Sequence, residues 1–173
     1  MEENGLPALD QLEATPEILR ALMSGLSDED ARWKPAPDRW SIAEILEHLS
    51  HVEGHCFRPR VESAVEEDRP AWPKYDQNAY DAQGKYSGGD PEESFAHFED
   101  QREENLEYLR RLPEGSAERS GMHAELGPVK VSELLHEWAF HDLGHIRQIA
   151  EIVRARRYFP NMGAFRKYYQ VKP

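Results

Sequence analysis

Ser132-Glu-Leu-Leu-His-Glu-Trp-Ala-Phe-His141-Asp-Leu-Gly-His145-Ile-Arg-Gln148-Ile149 is the stretch that decides the fold. Its apolar residues recur at the three- and four-residue spacing of an amphipathic α-helix. Because such a helix turns about 100° per residue, His141 and His145 lie one turn apart, about 40° from each other on one face. Two imidazoles so placed can bind one metal ion, as H-x-x-x-H pairs do in helical zinc sites. The spacing fits equally well two polar residues on an amphipathic helix.

A third histidine lies on an earlier predicted helix. Ser41-Ile-Ala-Glu44 is a capping box, in which Ser41 and Glu44 satisfy each other's backbone donors at the helix start. His48 lies about 40° from Val52, at the edge of the apolar face. His55 lies two turns further on, about 10 Å away, so the two cannot easily bind one ion. His48 is therefore the best third ligand, while His55 is either a candidate for the pocket wall or a solvated side chain.

Four long helical segments and no convincing strand pattern predict an all-α bundle. The first helix is expected to start at Thr15 as N-cap, with Pro16 in the first helical position. Pro59 is expected to kink or end the second helix. Asp90 and Pro91 open the third in the same way as Thr15 and Pro16 open the first. The fourth is the histidine helix.

Two connections are predicted to lack helices. Residues 68–89 form a long connection typical of a lid or a binding loop, and residues 114–130 form a glycine-containing loop. The aromatic tail after Pro160 is expected to pack back on the bundle. The aromatic residues of the first connection, which can cover the core or line a pocket, are Trp72, Tyr75, Tyr80 and Tyr86.

The composition argues against some partners. A single domain over residues 1–173 is expected from the length, and the net charge of −12 disfavours binding to nucleic acid. The small basic cluster from Arg154 to Arg157 is typical of cations at a helix C-terminus. No apolar run approaches the ~20 residues that span a bilayer, and no secretory signal is visible. The single cysteine, Cys56, excludes an internal disulfide and favours a cytoplasmic location.

Two acidic residues lie near the candidate ligands. Asp142 falls inside the apolar arc of its helix, where a carboxylate needs a partner. It can orient a ligand imidazole or pair with an arginine, and the sequence does not distinguish these roles. Glu44 lies one turn before His48, so it is a candidate acid/base group or partner of a ligand, although its capping role is the simpler explanation.

These motifs carry a family resemblance. Two stretches carry it: Trp40-Ser-Ile-Ala-Glu44-Ile-Leu-Glu-His48-Leu-Ser-His-Val-Glu53 and, much later, Trp138-Ala-Phe-His141-Asp-Leu-Gly-His145-Ile-Arg-Gln148-Ile. Together they resemble the DinB-like superfamily. This superfamily includes the bacillithiol and mycothiol transferases. The resemblance implies an up-and-down-type four-helix bundle, often dimeric, with a divalent nickel, zinc or iron ion held by three histidines. Carried over residue by residue, the ligands are His48, His141 and His145, in agreement with the helical geometry.

Three imidazoles leave at least one coordination position open, as in catalytic metal sites. The expected function is therefore a metal-dependent enzyme acting on a small molecule, either an S-transferase that uses a low-molecular-weight thiol or a hydrolase-like protein. The alternatives are a non-catalytic metal-binding stress or binding protein and a helical scaffold without metal. A homodimer is expected. Further candidates for the pocket or for contacts with the ligands are His55, Trp138, Asp142 and Gln148.

Overall fold

A computed structural model describes residues 5–76, 86 and 89–171. Its helices are α1 (Leu9–Met23), α2 (Asp28–Arg32), α3 (Ile42–Val52), α4 (Arg58–Glu66), α5 (Pro91–Arg111) and α6 (Val131–Val153). Its strands are β1 (Ala71–Trp72), β2 (Ser120–His123) and β3 (Gly127–Lys130). The four long members are α1, the α3–α4 pair, α5 and α6, so the predicted four-helix bundle is confirmed.

Contacts between the long helices do not follow their order in the chain. Helices α1 and α3 each pack mainly against α5 and α6. The first two long helices of the chain, α1 and α3, therefore lie diagonally opposite each other. Apolar side chains from all four fill the centre, with Leu46 and Ile149 in one half of the core and Val61 and Leu109 in the other. Burial of these side chains is the main force that holds the helices together.

Helix α1 starts at Leu9, earlier than predicted, so Thr15 and Pro16 lie inside it and Thr15 is not an N-cap. A proline inside a helix removes the N–H that would bind the carbonyl four residues earlier. That carbonyl belongs to Leu12, and here it accepts a hydrogen bond of 2.8 Å from Arg102 Nη1. A long-range contact thus compensates for the local defect, which the local sequence could not reveal.

The second long helix passes Pro59 without ending. A π-helical segment, Glu53–Phe57, joins α3 to α4, and the Arg58 N–H donates to the Glu53 carbonyl. Pro59 then falls in the first turn of α4, where a missing N–H costs little. The wider turn of a π-helix changes which side chains face inward. Here it places Glu53, Cys56 and Phe57 in the interior.

Three short strands lie in the two connections that the sequence predicts as loops, so that part of the prediction was wrong, although the fold is mainly helical as expected. Strand β1 pairs in parallel with β2, and β2 pairs antiparallel with β3. The strands have two to four residues and no clear alternation of apolar and polar side chains, so their periodicity gave no signal. Gly121 of β2 is essential to the packing, because a Cβ there would lie 2.1 Å from the indole of Trp72.

The prediction that the C-terminal tail packs back on the bundle was wrong. It forms short helical turns in which Phe165 and Tyr168 are 66% and 81% exposed. The preceding basic cluster instead fixes the end of α6 to the region around α2, since Arg156 pairs with Glu29 and Asp30. Among helices in the described ranges, none has the length and apolar character needed to cross a membrane.

Candidate metal centre

The fold brings the three predicted histidines together. His48 extends from α3, while His141 and His145 extend from successive turns of α6, which packs against α3. The Nε2 atom of His141 lies 2.9 Å from Nε2 of His48 and 3.2 Å from Nε2 of His145. One nitrogen from each ring lies within 4.8 Å of the others. These three residues are called the histidine cluster below.

The opposite nitrogen of each ring faces outward. His48 Nδ1 lies 3.1 Å from the Tyr86 hydroxyl, and His145 Nδ1 lies 3.1 Å from the Gln148 side-chain oxygen. His141 Nδ1 is buried without a hydrogen-bond partner, and the nearby Asp142 carboxylate is 4.0 Å away, too far for a hydrogen bond. Gln148 thus contacts a candidate ligand, as the motif suggested, and so does Tyr86, which sequence reasoning did not single out.

The protonation of these rings favours a cation at their centre. The Gln148 oxygen can only accept, so His145 carries its proton on Nδ1 and has a lone pair on Nε2. His141 Nε2 carries at most one proton, so it cannot donate to both neighbouring rings. Hydrogen bonds alone therefore leave the cluster incompletely satisfied. A divalent zinc, nickel or iron ion accepts lone pairs from all three imidazoles, so these residues fit such an ion.

The environment keeps two of the imidazoles neutral. Burial, together with the neighbouring histidines, lowers the pKa of His48 to about 2. Burial and His141 lower the pKa of His145 to about 4. Both rings are therefore neutral imidazoles at neutral pH, which is the form that coordinates a metal.

Aromatic rings surround the histidine cluster. The Trp40 ring centroid lies 5.0 Å from that of His48 and stacks on His145 at 6.3 Å. The Tyr86 ring meets His48 edge-on at 5.4 Å, and its hydroxyl lies 2.8 Å from that of Tyr75. The predicted binding loop thus contributes two tyrosines to this region, while Tyr80 lies outside the described residues.

His48 and His141 line a cavity of about 270 Å³. Val52, Cys56 and Phe57 form an apolar part of its wall. Burial raises the pKa of the Cys56 thiol to about 11, so this thiol is protonated at neutral pH. Larger clefts of about 520 and 580 Å³ lie along α1 and α5, but no histidine lines them among the described residues.

A family comparison agrees with this arrangement. The family model described as the DinB superfamily matches residues 11–149. The chain belongs to the DinB superfamily. No protein among curated sequences matches it significantly.

A solved structure has the same fold as this DinB protein. It is described as YfiT from Bacillus subtilis, a probable metal-dependent hydrolase with an unusual four-helix bundle topology. The two chains superpose with a TM-score of 0.76 and 21% sequence identity, over 85% of this chain and 84% of YfiT. At this identity the comparison establishes the fold.

A second buried polar cluster lies next to the histidines of this DinB chain. Arg102 binds Glu53 through Nε and Nη2 and Asp142 through Nη1 and Nη2, with distances of 2.5–3.2 Å. Thr15 Oγ1 lies 2.8 Å from Asp142. All three charged residues are 1% exposed. We call Arg102, Glu53 and Asp142 the arginine cluster. Of the two roles open for Asp142, pairing with an arginine is the one observed.

Trp138 belongs to this second cluster. Its indole N–H donates to Glu53 at 2.9 Å, and its ring stacks on Phe57 at 4.8 Å. Phe57 in turn meets the His141 ring edge-on at 5.4 Å. Trp138 therefore contacts the histidine cluster indirectly, through Phe57. Sequence reasoning missed Arg102, although its spacing from the buried Phe98 places it on the inner face of α5.

Two other candidates lie outside the cavity. The Glu44 carboxylate accepts hydrogen bonds from the Ser41 N–H at 2.7 Å and from Lys34 Nζ at 2.8 Å, which gives it the predicted capping role. His55 was expected at the pocket wall, but it is exposed and does not line the cavity. It stacks on His51 at 4.2 Å instead, because the π-helical segment that contains it turns Cys56 and Phe57 inward.

Proposed function

We propose that His48, His141 and His145 bind one divalent zinc, nickel or iron ion and that the protein is a metal-dependent enzyme acting on a small molecule. The convergence of three imidazole nitrogens, two of them from residues that line a cavity, carries this proposal. A metal held by three imidazoles keeps an open position, at which it lowers the pKa of a water or thiol.

The surrounding residues prepare the ligands. Tyr86 and Gln148 hold the His48 and His145 rings through their Nδ1 atoms, which fixes the orientation of both rings. Trp40 covers His48 and His145 on one side and limits access of water. The cavity beside His48 and His141 gives a substrate access from another side.

Two reactions suit this arrangement. In an S-transfer, the sulfur of a low-molecular-weight thiol bonds to an electrophilic carbon, the leaving group departs with its bonding pair, and the thiol proton goes to solvent. The resemblance to bacillithiol and mycothiol transferases supports this reaction. In a hydrolysis, water replaces the thiol, and the description of YfiT supports that version.

A non-catalytic metal-binding protein of the same fold is the second candidate. One observation favours it: the Glu44 carboxylate, the predicted acid/base group, is engaged by Ser41 and Lys34. A carboxylate held in this way is not free to accept a proton, which favours binding over proton transfer by that group.

Elemental analysis by ICP-MS tests the metal site. Wild type, purified and reconstituted separately with zinc, nickel and iron, is expected to hold about one ion per chain. His145→Ala is expected to hold little. His136→Ala is the matched control, because His136 is an exposed histidine of the same helix. Absence of bound metal in the wild type under every condition would reject the proposal.

Product analysis separates the candidate functions. The loaded protein is incubated with an electrophilic ester or halide, with and without cysteine as the thiol, and the products are identified by mass spectrometry. A thioether from the halide, or a thioester from the ester, that forms only with wild type and not with His141→Ala indicates S-transfer. A hydrolysis product indicates the hydrolase. Stoichiometric metal without either product across a broad panel indicates the binding protein.

The expected homodimer is also a proposal. Phe140 and Leu143 are 78% and 46% exposed and form an apolar surface on α6, beside the buried face of the same helix. Size-exclusion chromatography with light scattering of wild type and Phe140→Glu tests it. A monomer for both would reject the dimer.

A further inference from the structure

Two adjoining cavities extend from the histidine cluster towards the small sheet. The cavity beside His48 and His141 has about 270 Å³, and a neighbouring cleft has about 440 Å³. Both are lined by Arg60, His123 and Glu137, which therefore lie where the two spaces meet. Together they have the size of a typical small-molecule site.

The far cleft is mostly apolar. Trp72 and Leu134 form its buried side, and Leu126, which is 73% exposed, lies at its rim. Pro128 of β3 adds to the lining. The close packing of Gly121 against Trp72 fixes the indole as a rigid wall. This end of the space suits an apolar side chain of a ligand.

The junction carries two opposite charges that do not neutralise each other. In the first cavity Lys74 pairs with Glu125 at 2.9 Å, so those two charges satisfy one another. Arg60 and Glu137, by contrast, form no ion pair within residues 5–76, 86 and 89–171. Arg60 donates one hydrogen bond of 2.9 Å to the Pro73 carbonyl, and a guanidinium has five N–H donors in all.

Both charges act on the cavity. After burial, which raises the Cys56 pKa, the next influences on this thiol in the cavity wall are Arg60, which lowers its pKa, and Glu137, which raises it. A ligand at the junction therefore meets a cation and an anion together. The protein has a net charge of −12, so a ligand carboxylate needs a local cation such as Arg60 to offset the overall repulsion.

We propose that this double cavity binds a zwitterionic, amino-acid-type small molecule. Its ammonium group pairs with Glu137, its carboxylate pairs with Arg60, and its apolar side chain lies in the cleft beside Trp72. The placement of its reacting group beside His48 and His141 rests on the proposed function. Recognition of the two charges does not require a metal.

Three dipeptides that differ by single charges test the proposal. L-alanyl-L-leucine is the zwitterion, its N-acetyl form lacks the ammonium group, and its C-terminal amide lacks the carboxylate. Binding is measured by NMR titration of the full metal-free chain. Loss of either charge is expected to weaken binding about five- to tenfold. Replacement of leucyl by glycyl is expected to weaken binding through loss of the apolar contact.

Charge-removing variants assign each group. Arg60→Gln is expected to bind the amide as well as the zwitterion, while it still discriminates against the N-acetyl form. Glu137→Gln is expected to show the reverse pattern. Arg60→Lys keeps the positive charge and retains the preference for a carboxylate. Arg110→Gln is the control, because Arg110 pairs with Glu13 on the surface outside both cavities.

The results separate this proposal from the metal site. Equal affinities of wild type for all three dipeptides, or no binding at millimolar concentration, overturn the zwitterion site. Peptide preferences that do not change in Arg60→Gln and Glu137→Gln overturn it as well. Metal content is measured on separate aliquots of the same proteins after reconstitution with metal, and both variants are expected to bind metal like wild type. If the wild type binds no metal, the proposed function is rejected. The peptide affinities still test the zwitterion site in that case, because they are measured without metal.

Discussion

The histidine cluster and the arginine cluster lie side by side, joined by the consecutive residues His141 and Asp142, yet they are satisfied very differently. All five N–H donors of Arg102 have acceptors, namely Glu53, Asp142 and the Leu12 carbonyl. In the histidine cluster three nitrogens converge on one point, and His141 Nδ1 has no partner. One cluster is satisfied within the protein, and the other leaves a buried nitrogen without a hydrogen-bond partner.

The difference separates a buried polar cluster that stabilises the fold from one that we propose binds a ligand. Burial acts to lower the pKa of Arg102, but its two carboxylates outweigh this and raise it, so the guanidinium stays charged. Burial acts to raise the pKa of Asp142, but Arg102 outweighs it and keeps the carboxyl ionised. Each charge requires the others, which ties the π-helical segment, α5 and α6 together. The neutral histidines carry no such mutual requirement.

Removal of the guanidinium should have the largest effect. Arg102→Leu removes the guanidinium that pairs with two buried carboxylates, and we expect a loss of about 3–5 kcal/mol in the free energy of unfolding. Added metal should not restore it. Urea unfolding followed by circular dichroism measures the loss, and the exposed Arg110→Leu should change stability by less than about 1 kcal/mol. Similar stabilities for both variants would show that the arginine cluster does not hold the helices together.

Removal of one histidine should act mainly through metal. Wild type with zinc at about a thousand times its dissociation constant should gain about 4 kcal/mol of stability, because the ion binds only the folded chain. His48→Ala should lose this gain while its metal-free form unfolds near the wild-type urea concentration. Paired unfolding curves with zinc and with EDTA check this. A metal-free His48→Ala as unstable as Arg102→Leu would remove the contrast between the two clusters.

The two clusters should also respond to different pH ranges. The pKa of His145 is about 4 in the folded chain, against about 6.5 when unfolded, so between these values the unfolded chain binds more protons. Protonation of His145 should therefore cost the metal-free protein roughly 2–3 kcal/mol as pH falls from 6.5 to 4, and His48, whose pKa of about 2 is lower still, should add a loss of similar size. Asp142 has a lowered pKa and should contribute to the loss only at lower pH.

Thermal unfolding of metal-free wild type and His145→Ala between pH 7 and 4 tests this window. The variant should show a flatter pH dependence, because it lacks one of the groups that must take up a proton. An identical slope in the two proteins would mean that other groups dominate this range.

The smallest expected effect concerns the hydrogen bond to His145. Gln148→Leu removes the acceptor of Nδ1 and should weaken zinc affinity about 10- to 100-fold. Stability without metal should change little. Competition with a fluorescent zinc chelator measures the affinity. Gln101→Leu is the control, since Gln101 bonds Ser50 and His97 on another face. Equal affinities in the two variants would show that the outer contact does not tune the site.

Local sequence patterns determined much of this protein. The capping box at Ser41, the N-cap at Asp90 and the apolar periodicity located the long helices of the DinB bundle. The one-turn spacing of His141 and His145 and the wheel position of His48 predicted which three histidines would lie together. These inferences succeeded because helix geometry depends on residues only a few positions apart.

Tertiary contacts decided what the patterns left open. Only the packed helices showed that Asp142 pairs with Arg102, and that a carbonyl freed by Pro16 accepts from the same guanidinium. The strand pairing and the Tyr86 contact with His48 likewise depend on residues far apart in sequence. A buried polar side chain requires a hydrogen-bond or ion-pair partner, and many residues of the chain could provide one. The sequence shows that a partner is required, but only the three-dimensional packing determines which residue it is.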